Sequence, residues 1–194
     1  MASIRRFIPS LTVLLLGAIV ACTDPNALAP ASETNVIDTV TMFSLDGTPI
    51  STPSAFSVDR GRPVRTDQFQ AFDFAFNIES DGRAVLLPAR AAGMPVSSLD
   101  PGLLPEGGPA GGTQFDQIDV APFDGYLTTD TLVAEVGATF VVRSRIICNL
   151  GVPRYSKIEV LNIATAPDSL SITLKVLTNQ NCGYRGLQPG LPDI

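Results

Sequence analysis

The amino-acid sequence predicts an all-β fold: a single antiparallel β-sandwich or open-barrel-like domain that ends in a three-strand meander. Apolar and polar side chains alternate with period two in several segments, which is typical of strands that bury one face. The 194-residue chain also contains 16 Gly and 16 Pro, which divide it into short segments. No stretch shows a helical period longer than a turn or two, so we expect one β-rich domain.

Residues 1–21 are predicted to be a lipoprotein signal peptide. Arg5 and Arg6 form its positive region, and an apolar run follows them up to the lipobox Ile19-Val20-Ala21-Cys22. In this motif Ala21 occupies the cleavage position and Cys22 is the residue that becomes acylated. The alternatives are an ordinary secretory signal or a single spanning helix, although the apolar run is shorter than the ~20 residues that spanning requires.

Acyl chains on Cys22 would attach the mature protein to a membrane that it does not span. Thr23 stands at the second mature position, where Asp would favour the inner membrane, so the predicted location is the bacterial cell envelope and its outer membrane. Residues 22–35 are small, polar and interrupted by proline, which predicts a flexible tether behind the acylated cysteine. Residues 36–194 are then the β-rich extracytoplasmic domain.

The first predicted strand is Val36–Phe43, which is rich in β-branched residues and is followed by a turn at Asp46–Pro49. The strongest strand pattern is Phe69–Ile78, and Ala84–Pro88 is predicted to return from it as a hairpin. One face of this strand is apolar and predicted to lie in the core; it consists of Phe72, Phe74, Phe76 and Ile78. The other face is small or polar and consists of Ala71, Asp73, Ala75 and Asn77.

Residues 91–113 are rich in Gly and Pro and almost free of periodicity, so they are predicted to form one long, mobile loop. A loop of this length inside a compact domain is either functional or disordered, and this loop with its rims is the predicted place for a ligand or partner. The glycine run Gly107–Gly112 lacks the Gly-Lys-Ser/Thr sequence and the following helix of a phosphate-binding loop.

The last third predicts three successive antiparallel strands around Phe140–Ile146, Lys157–Val160 and Leu170–Val176. Export to an oxidising compartment predicts a disulfide between Cys148 and Cys182, the alternatives being two free thiols or two metal ligands. The outer strands of such a meander lie ~9–10 Å apart, beyond disulfide reach. The segment Asn179–Gly183 must therefore bend across the end of the sheet, or the meander is wrong.

Composition excludes several classes of function. The chain has a net charge of −6 and no histidine, and its lysines are Lys157 and Lys175. No cluster of basic residues beside aromatic residues stands out, so nucleic acid is not an expected partner. Without histidine no His-dependent catalytic triad can form. The acids Asp116, Asp119 and Asp124 lack the spacing of a calcium loop and are interpreted as turn or solvated residues, with a weak calcium site as the open alternative. No catalytic or metal-ligating residue is predicted.

Three strand-like stretches resemble HmuY-like bacterial lipoproteins in order and spacing. They are Asp73–Phe76, Thr139–Ser144 and Tyr155–Val160, which are similar to the Trp-Asp-Ile-Ala-Phe and Tyr-x-Lys-Ile-x-Val stretches of that family. The resemblance implies an all-β, surface-anchored haem binder. The histidines that hold haem in such proteins have no counterpart here, and the methionines of the mature chain are Met42 and Met94, so no ligand residue carries over.

These observations favour a non-enzymatic, membrane-anchored envelope lipoprotein that acts by binding, with residues 91–113 and neighbouring sheet edges as its contact surface. The alternative is an HmuY-like protein that captures haem or another nutrient and delivers it to an outer-membrane transporter. A third hypothesis, a hydrolase of envelope glycans, requires two acids that face one cleft at suitable spacing. The predicted partners are the membrane, through acylated Cys22, and an envelope protein or transporter.

Overall fold

The computed structural model describes residues 27–95 and 100–193. These residues form an all-β sandwich of two antiparallel sheets, as the sequence predicts. The predicted signal peptide, its cleavage position Ala21 and Cys22 lie outside the described residues. The described part of the chain has no helix long and apolar enough to cross a membrane.

Residues 27–95 and 100–193 contain eleven strands and one short 3₁₀ helix. The strands are β1 (Ile37–Phe43), β2 (Ala55–Ser57), β3 (Arg62–Val64), β4 (Phe74–Ile78), β5 (Ala84–Pro88), β6 (Gly102–Gly108), β7 (Gly111–Gly112), β8 (Leu132–Val133), β9 (Thr139–Arg143), β10 (Tyr155–Ala164) and β11 (Ser171–Asn179). The 3₁₀ helix spans Phe115–Gln117. One sheet has the order β1-β11-β10-β9-β6-β7 and the other the order β3-β2-β4-β5-β8.

The predicted C-terminal meander is confirmed. Strand β10 pairs antiparallel with both β9 and β11, with Ile158 opposite Phe140 on one side and opposite Val176 on the other. These three side chains belong to the main core between the sheets, where they meet Phe56 and Phe74 of the other sheet. The alternation of the sequence therefore marks the buried face of the meander correctly.

The predicted hairpin of β4 and β5 is confirmed, but its first strand begins at Phe74 rather than Phe69. Phe72 packs in a separate cluster with Ala55, Val64 and Ala75. The face predicted to be small or polar is partly buried, since Asp73 and Ala75 are fully buried and Ala71 and Asn77 half-buried. The carboxylate of Asp73 accepts hydrogen bonds from the backbone N–H groups of Val58 and Arg145.

The outer face of the six-stranded sheet carries a second cluster that the alternation pattern does not reveal. The 3₁₀ helix lies on this face, and Phe115 packs there with Val141, Tyr155 and Leu177. Lys157, which the alternation assigns to this outward face, is only 2% exposed. Its Nζ donates hydrogen bonds of 2.9 Å to the carbonyl oxygens of Phe115 and Ile118, and burial lowers the pKa of its ammonium group.

The prediction of one long loop over residues 91–113 is wrong. Gly102–Gly108 forms strand β6, which pairs with β9 inside the sheet, and the glycine run turns back as the β6–β7 hairpin. Glycine is required here because a Cβ on Gly107 would lie 2.5 Å from the carbonyl oxygen of Thr113. In this strand the apolar residues Leu103 and Leu104 are adjacent and three of the seven residues are glycine, so the sequence shows no alternation with period two that could reveal it.

Cys148 and Cys182 form a disulfide, with their Cα atoms 5.8 Å apart. The predicted bend after β11 is present, since the Gly183 N–H donates to the carbonyl oxygen of Pro153 just before β10. The Asn179 side chain stabilises this bend by donating to the carbonyl oxygens of Tyr184 and Gly186.

The last residues of the predicted tether are attached to the domain. Asn181 accepts hydrogen bonds from the N–H groups of Ser32 and Glu33, and Asn35 pairs through its backbone with Gly190. Asn35 is buried, and its side-chain amide donates to the carbonyl oxygens of Gly186 and Gln188. The ordered chain therefore extends before the predicted domain boundary at residue 36.

Candidate functional site

An apolar cleft of about 430 Å³ lies where the two sheets end on the same side of the sandwich. Strand β7 is the last strand of one sheet and β8 the last strand of the other, and each contains two residues. Strands this short cannot cover the core along its whole edge. Leu132, Ala138 and Phe140, which belong to the main core, consequently also line the cleft.

The rest of the cleft comes from the glycine-rich segment and from the chain around β8. The lining residues are Pro105, Gly107, Gly108, Pro109, Leu127, Thr131, Leu132, Val133, Glu135, Ala138 and Phe140. Val133 is 47% exposed, so apolar surface continues from the cleft onto the edge strand. The segment predicted to provide a binding loop thus forms one wall of a cleft, although it does so as a strand hairpin.

The chemistry of this cleft is that of an apolar receptacle. Glu135 is the one ionisable side chain among its described lining residues. These residues include no histidine, cysteine, methionine or tyrosine, which are the side chains that ligate haem iron. Met42 is completely buried in the main core, and Met94 packs against the cluster that contains Phe72. The described residues therefore do not fit a haem that is ligated in this cleft.

The three acids singled out in the sequence do not form one site. Asp116 is exposed on the 3₁₀ helix, and its Oδ1 lies 3.0 Å from Nζ of Lys175. Asp119 lines a different cavity of about 280 Å³, together with Asp193 near the end of the chain. Asp124 lines neither this cavity nor the apolar cleft. No group of three or more metal-ligating side chains occurs within residues 27–95 and 100–193.

The guanidinium groups of Arg145 and Arg154 lie near Asp59 of the β2–β3 turn, and Arg145 also lies near Asp73. The Arg145 guanidinium donates to the carbonyl oxygen of Ala71 and lies 3.9 Å from carboxylates of both Asp59 and Asp73. Arg154 forms an ion pair with Asp59. Burial raises the pKa of Asp73 to about 6, against the opposing effect of the Arg145 and Val58 N–H groups.

Arg60, Arg62 and Arg65 line a cavity of about 270 Å³ beside these side chains, together with Phe69. The Arg60 guanidinium carbon lies 3.9 Å from the centre of the Phe69 ring. The expectation that no basic cluster lies beside an aromatic residue is therefore wrong. The sequence contains the necessary pattern, because three arginines occur within six residues and Phe69 follows them closely.

The chain was compared with protein-family models, with curated proteins and with solved structures. None of the three comparisons finds a match. The apolar cleft and the arginine-lined cavity are therefore interpreted from their own residues and chemistry.

Proposed function

We propose that this protein is a lipid-anchored binding protein of the bacterial envelope, which holds a small apolar molecule in the cleft between the end of β6 and β8 and catalyses no reaction. The attachment is proposed from the sequence pattern that ends at Cys22. The binding role rests on one observation, the apolar cleft at the open edge of the core.

The size and lining of the cleft support a small ligand. Its volume of about 430 Å³ falls in the range of small-molecule pockets, which are lined mainly by hydrophobic side chains with few polar groups. A ligand that covers Phe140, Leu132 and Val133 gains roughly 25 cal/mol per Å² of apolar surface removed from water. A single carboxylate, Glu135, offers no second group for acid–base chemistry in the described lining, which supports binding over catalysis.

The cleft can be blocked without disturbing the sheet. A Cβ on Gly108 meets no atom within 4 Å, and Gly108 lines the cleft, so Gly108→Phe places a ring in open space there. Ile50→Phe is the matched control, because Ile50 is 71% exposed and lies outside the cleft lining. Both variants add one aromatic side chain.

The test is native mass spectrometry of the full-length protein extracted from membranes in a nonionic detergent. We expect the wild type and Ile50→Phe to carry a small apolar molecule, which is released when the ions are activated by collision. We expect Gly108→Phe to carry no such molecule. Equal loading of both variants, or no bound molecule in any of the three proteins, would contradict the proposal.

The anchor has a separate test. Cells that express the wild type should incorporate labelled palmitate into the protein, and Cys22→Ser should abolish this incorporation because no thiol remains to be acylated. Retention of the label in Cys22→Ser would show that Cys22 is not the lipidation site.

A further inference from the structure

The cavity lined by Arg60, Arg62 and Arg65 carries positive charge that the protein does not neutralise. Arg65 is paired with Asp67 at 2.6 Å. Neither Arg60 nor Arg62 has a carboxylate within ion-pair distance in the described part of the chain. Asp59, the acid next to Arg60 in sequence, is instead engaged by Arg154.

The local positive charge of Arg60 and Arg62 is opposite in sign to the net charge of the whole chain. The chain has a net charge of −6, so an unpaired pair of guanidinium groups at one turn is not a consequence of general basicity. A cavity that concentrates one sign of charge attracts ions of the opposite sign. The guanidinium fork donates two parallel hydrogen bonds to a phosphate or carboxylate, which makes arginine the residue best suited to hold an oxyanion.

Arg60 is held by its surroundings through its backbone and its side chain, whereas Arg62 is held through its backbone and its side chain is exposed. Arg60 lies within the turn between β2 and β3, where its backbone N–H donates to the carbonyl oxygen of Ser57, and its guanidinium is stacked on Phe69. Arg62 begins strand β3 and pairs through its backbone with Ser57. A site on a closed turn and a strand loses less conformational freedom on binding than a site on a free loop.

A second cavity, of about 290 Å³, shares Arg60 with the first. Its lining includes apolar Val36, Ile37 and Val176. The polar lining residues Glu33, Asp38, Thr178 and Gln180 supply carboxylates, a hydroxyl and an amide. The Gln180 amide packs directly on the turn: Gly61 has φ +60°, and a Cβ at that position would lie 2.8 Å from the Gln180 Nε2 atom. Polar groups of these kinds form hydrogen bonds with the hydroxyl groups of sugars.

We propose that the two cavities together bind a phosphorylated sugar of monosaccharide size. The phosphate lies between Arg60 and Arg62, and the sugar hydroxyls bond to Gln180 and Asp38 in the adjoining cavity. A phosphate monoester carries close to two negative charges at neutral pH and three acceptor oxygens, which two guanidinium forks can satisfy together. This site is separate from the apolar cleft and does not depend on it.

The test is calorimetric titration of the full-length protein in nonionic detergent with glucose 6-phosphate, glucose and inorganic phosphate. We expect glucose 6-phosphate to bind more tightly than either of the other two probes. Arg62→Gln should weaken its binding at least about tenfold, because one charge-assisted contact is lost while no hydrogen bond or ion pair of the Arg62 side chain is broken. Gln180→Ala should weaken glucose 6-phosphate binding but leave inorganic phosphate unaffected.

Arg83→Gln is the matched control, because Arg83 is exposed on the β4–β5 turn and its removal changes the net charge equally. It should leave the affinity within about twofold, since a distant exposed charge is screened by salt. The far-UV circular dichroism and melting temperature of each variant show whether it is folded. Gly108→Phe should bind glucose 6-phosphate as the wild type does, which separates this site from the apolar cleft.

Three outcomes would overturn the proposal. One is no measurable heat with glucose 6-phosphate at millimolar concentration. Another is an affinity for inorganic phosphate equal to that for glucose 6-phosphate, which would mean that the sugar contributes nothing to binding. The third is an equal loss of affinity in Arg83→Gln and Arg62→Gln, which would mean that only the overall charge matters.

Discussion

The buried carboxylate of Asp73 makes a specific prediction about stability and pH. Its exposed fraction is zero, and its pKa is raised to about 6 in the folded protein, with burial as the largest cause. In the unfolded chain the same group has an ordinary pKa near 3.8. Between these two values the folded state binds more protons than the unfolded state, so the free energy of unfolding falls as pH rises through this window.

The size of the effect follows from the difference in pKa. A shift of about two units corresponds to about 3 kcal/mol, since one unit is worth 1.36 kcal/mol. We therefore expect the wild type to lose up to about 3 kcal/mol relative to Asp73→Asn between pH 4 and pH 6.5, because the amide does not titrate. Above and below this window the difference between the two proteins should be constant.

The assay is urea unfolding of both full-length proteins, followed by far-UV circular dichroism because the chain has no tryptophan. Subtracting the two free energies of unfolding at each pH removes the titration of the groups that the proteins share. The reasoning would be refuted if the free energy of unfolding of the wild type minus that of Asp73→Asn rose with pH. It would mean that the hydrogen bonds from the Val58 and Arg145 N–H groups hold the Asp73 pKa below its ordinary value and outweigh burial.

Three further predictions concern stability and are checked by the same unfolding assay. Reduction of the Cys148–Cys182 disulfide should lower the free energy of unfolding by about 3–4 kcal/mol, as the chain-entropy model gives for a sequence separation of 34, and an unchanged midpoint in dithiothreitol would contradict this. Lys157→Ala should lower the free energy of unfolding by about 2–4 kcal/mol, because two buried carbonyl groups lose their donor. Lys175→Ala removes a surface ion pair and should lower it by less than about 1 kcal/mol. Similar losses in the two variants would be inconsistent with a buried role for Lys157. Gly107→Ala should cost about 1–3 kcal/mol through overpacking and Gly108→Ala less than about 0.5 kcal/mol, and equal effects would argue against the β6–β7 hairpin.

The predictable part of the fold is the part where one face of a strand is apolar. The meander of β9, β10 and β11 and the hairpin of β4 and β5 follow from alternation because Phe140, Ile158 and Phe76 point toward a single core. The disulfide was predicted from the expected export and from cysteine number, and the predicted meander correctly required a bend after β11. Local pattern is sufficient in these places because the face of each strand that enters the main core is consistently apolar.

The candidate sites were less predictable. The sequence places binding in residues 91–113, and part of that segment does line the apolar cleft, but the segment is a strand and hairpin rather than a loop. The other wall comes from Leu132 and Val133 of the opposite sheet, which no local pattern connects with Gly108. The unpaired charge of Arg60 and Arg62 depends on which carboxylates the fold assigns to Arg65 and Arg154.

By itself the sequence determined the all-β class, the order of the C-terminal strands and the pairing of Cys148 with Cys182. Alternation can be read within each short segment, and the number of cysteines can be read from the composition, so neither requires knowledge of distant contacts. Tertiary structure alone decided the burial of Asp73 and Lys157, the insertion of β6 beside β9 and the meeting of the end of β6 with β8 around a cleft. Burial of a polar side chain depends on which distant N–H or carbonyl group becomes its partner. Such partners lie far apart in sequence and are brought together only when the two sheets pack.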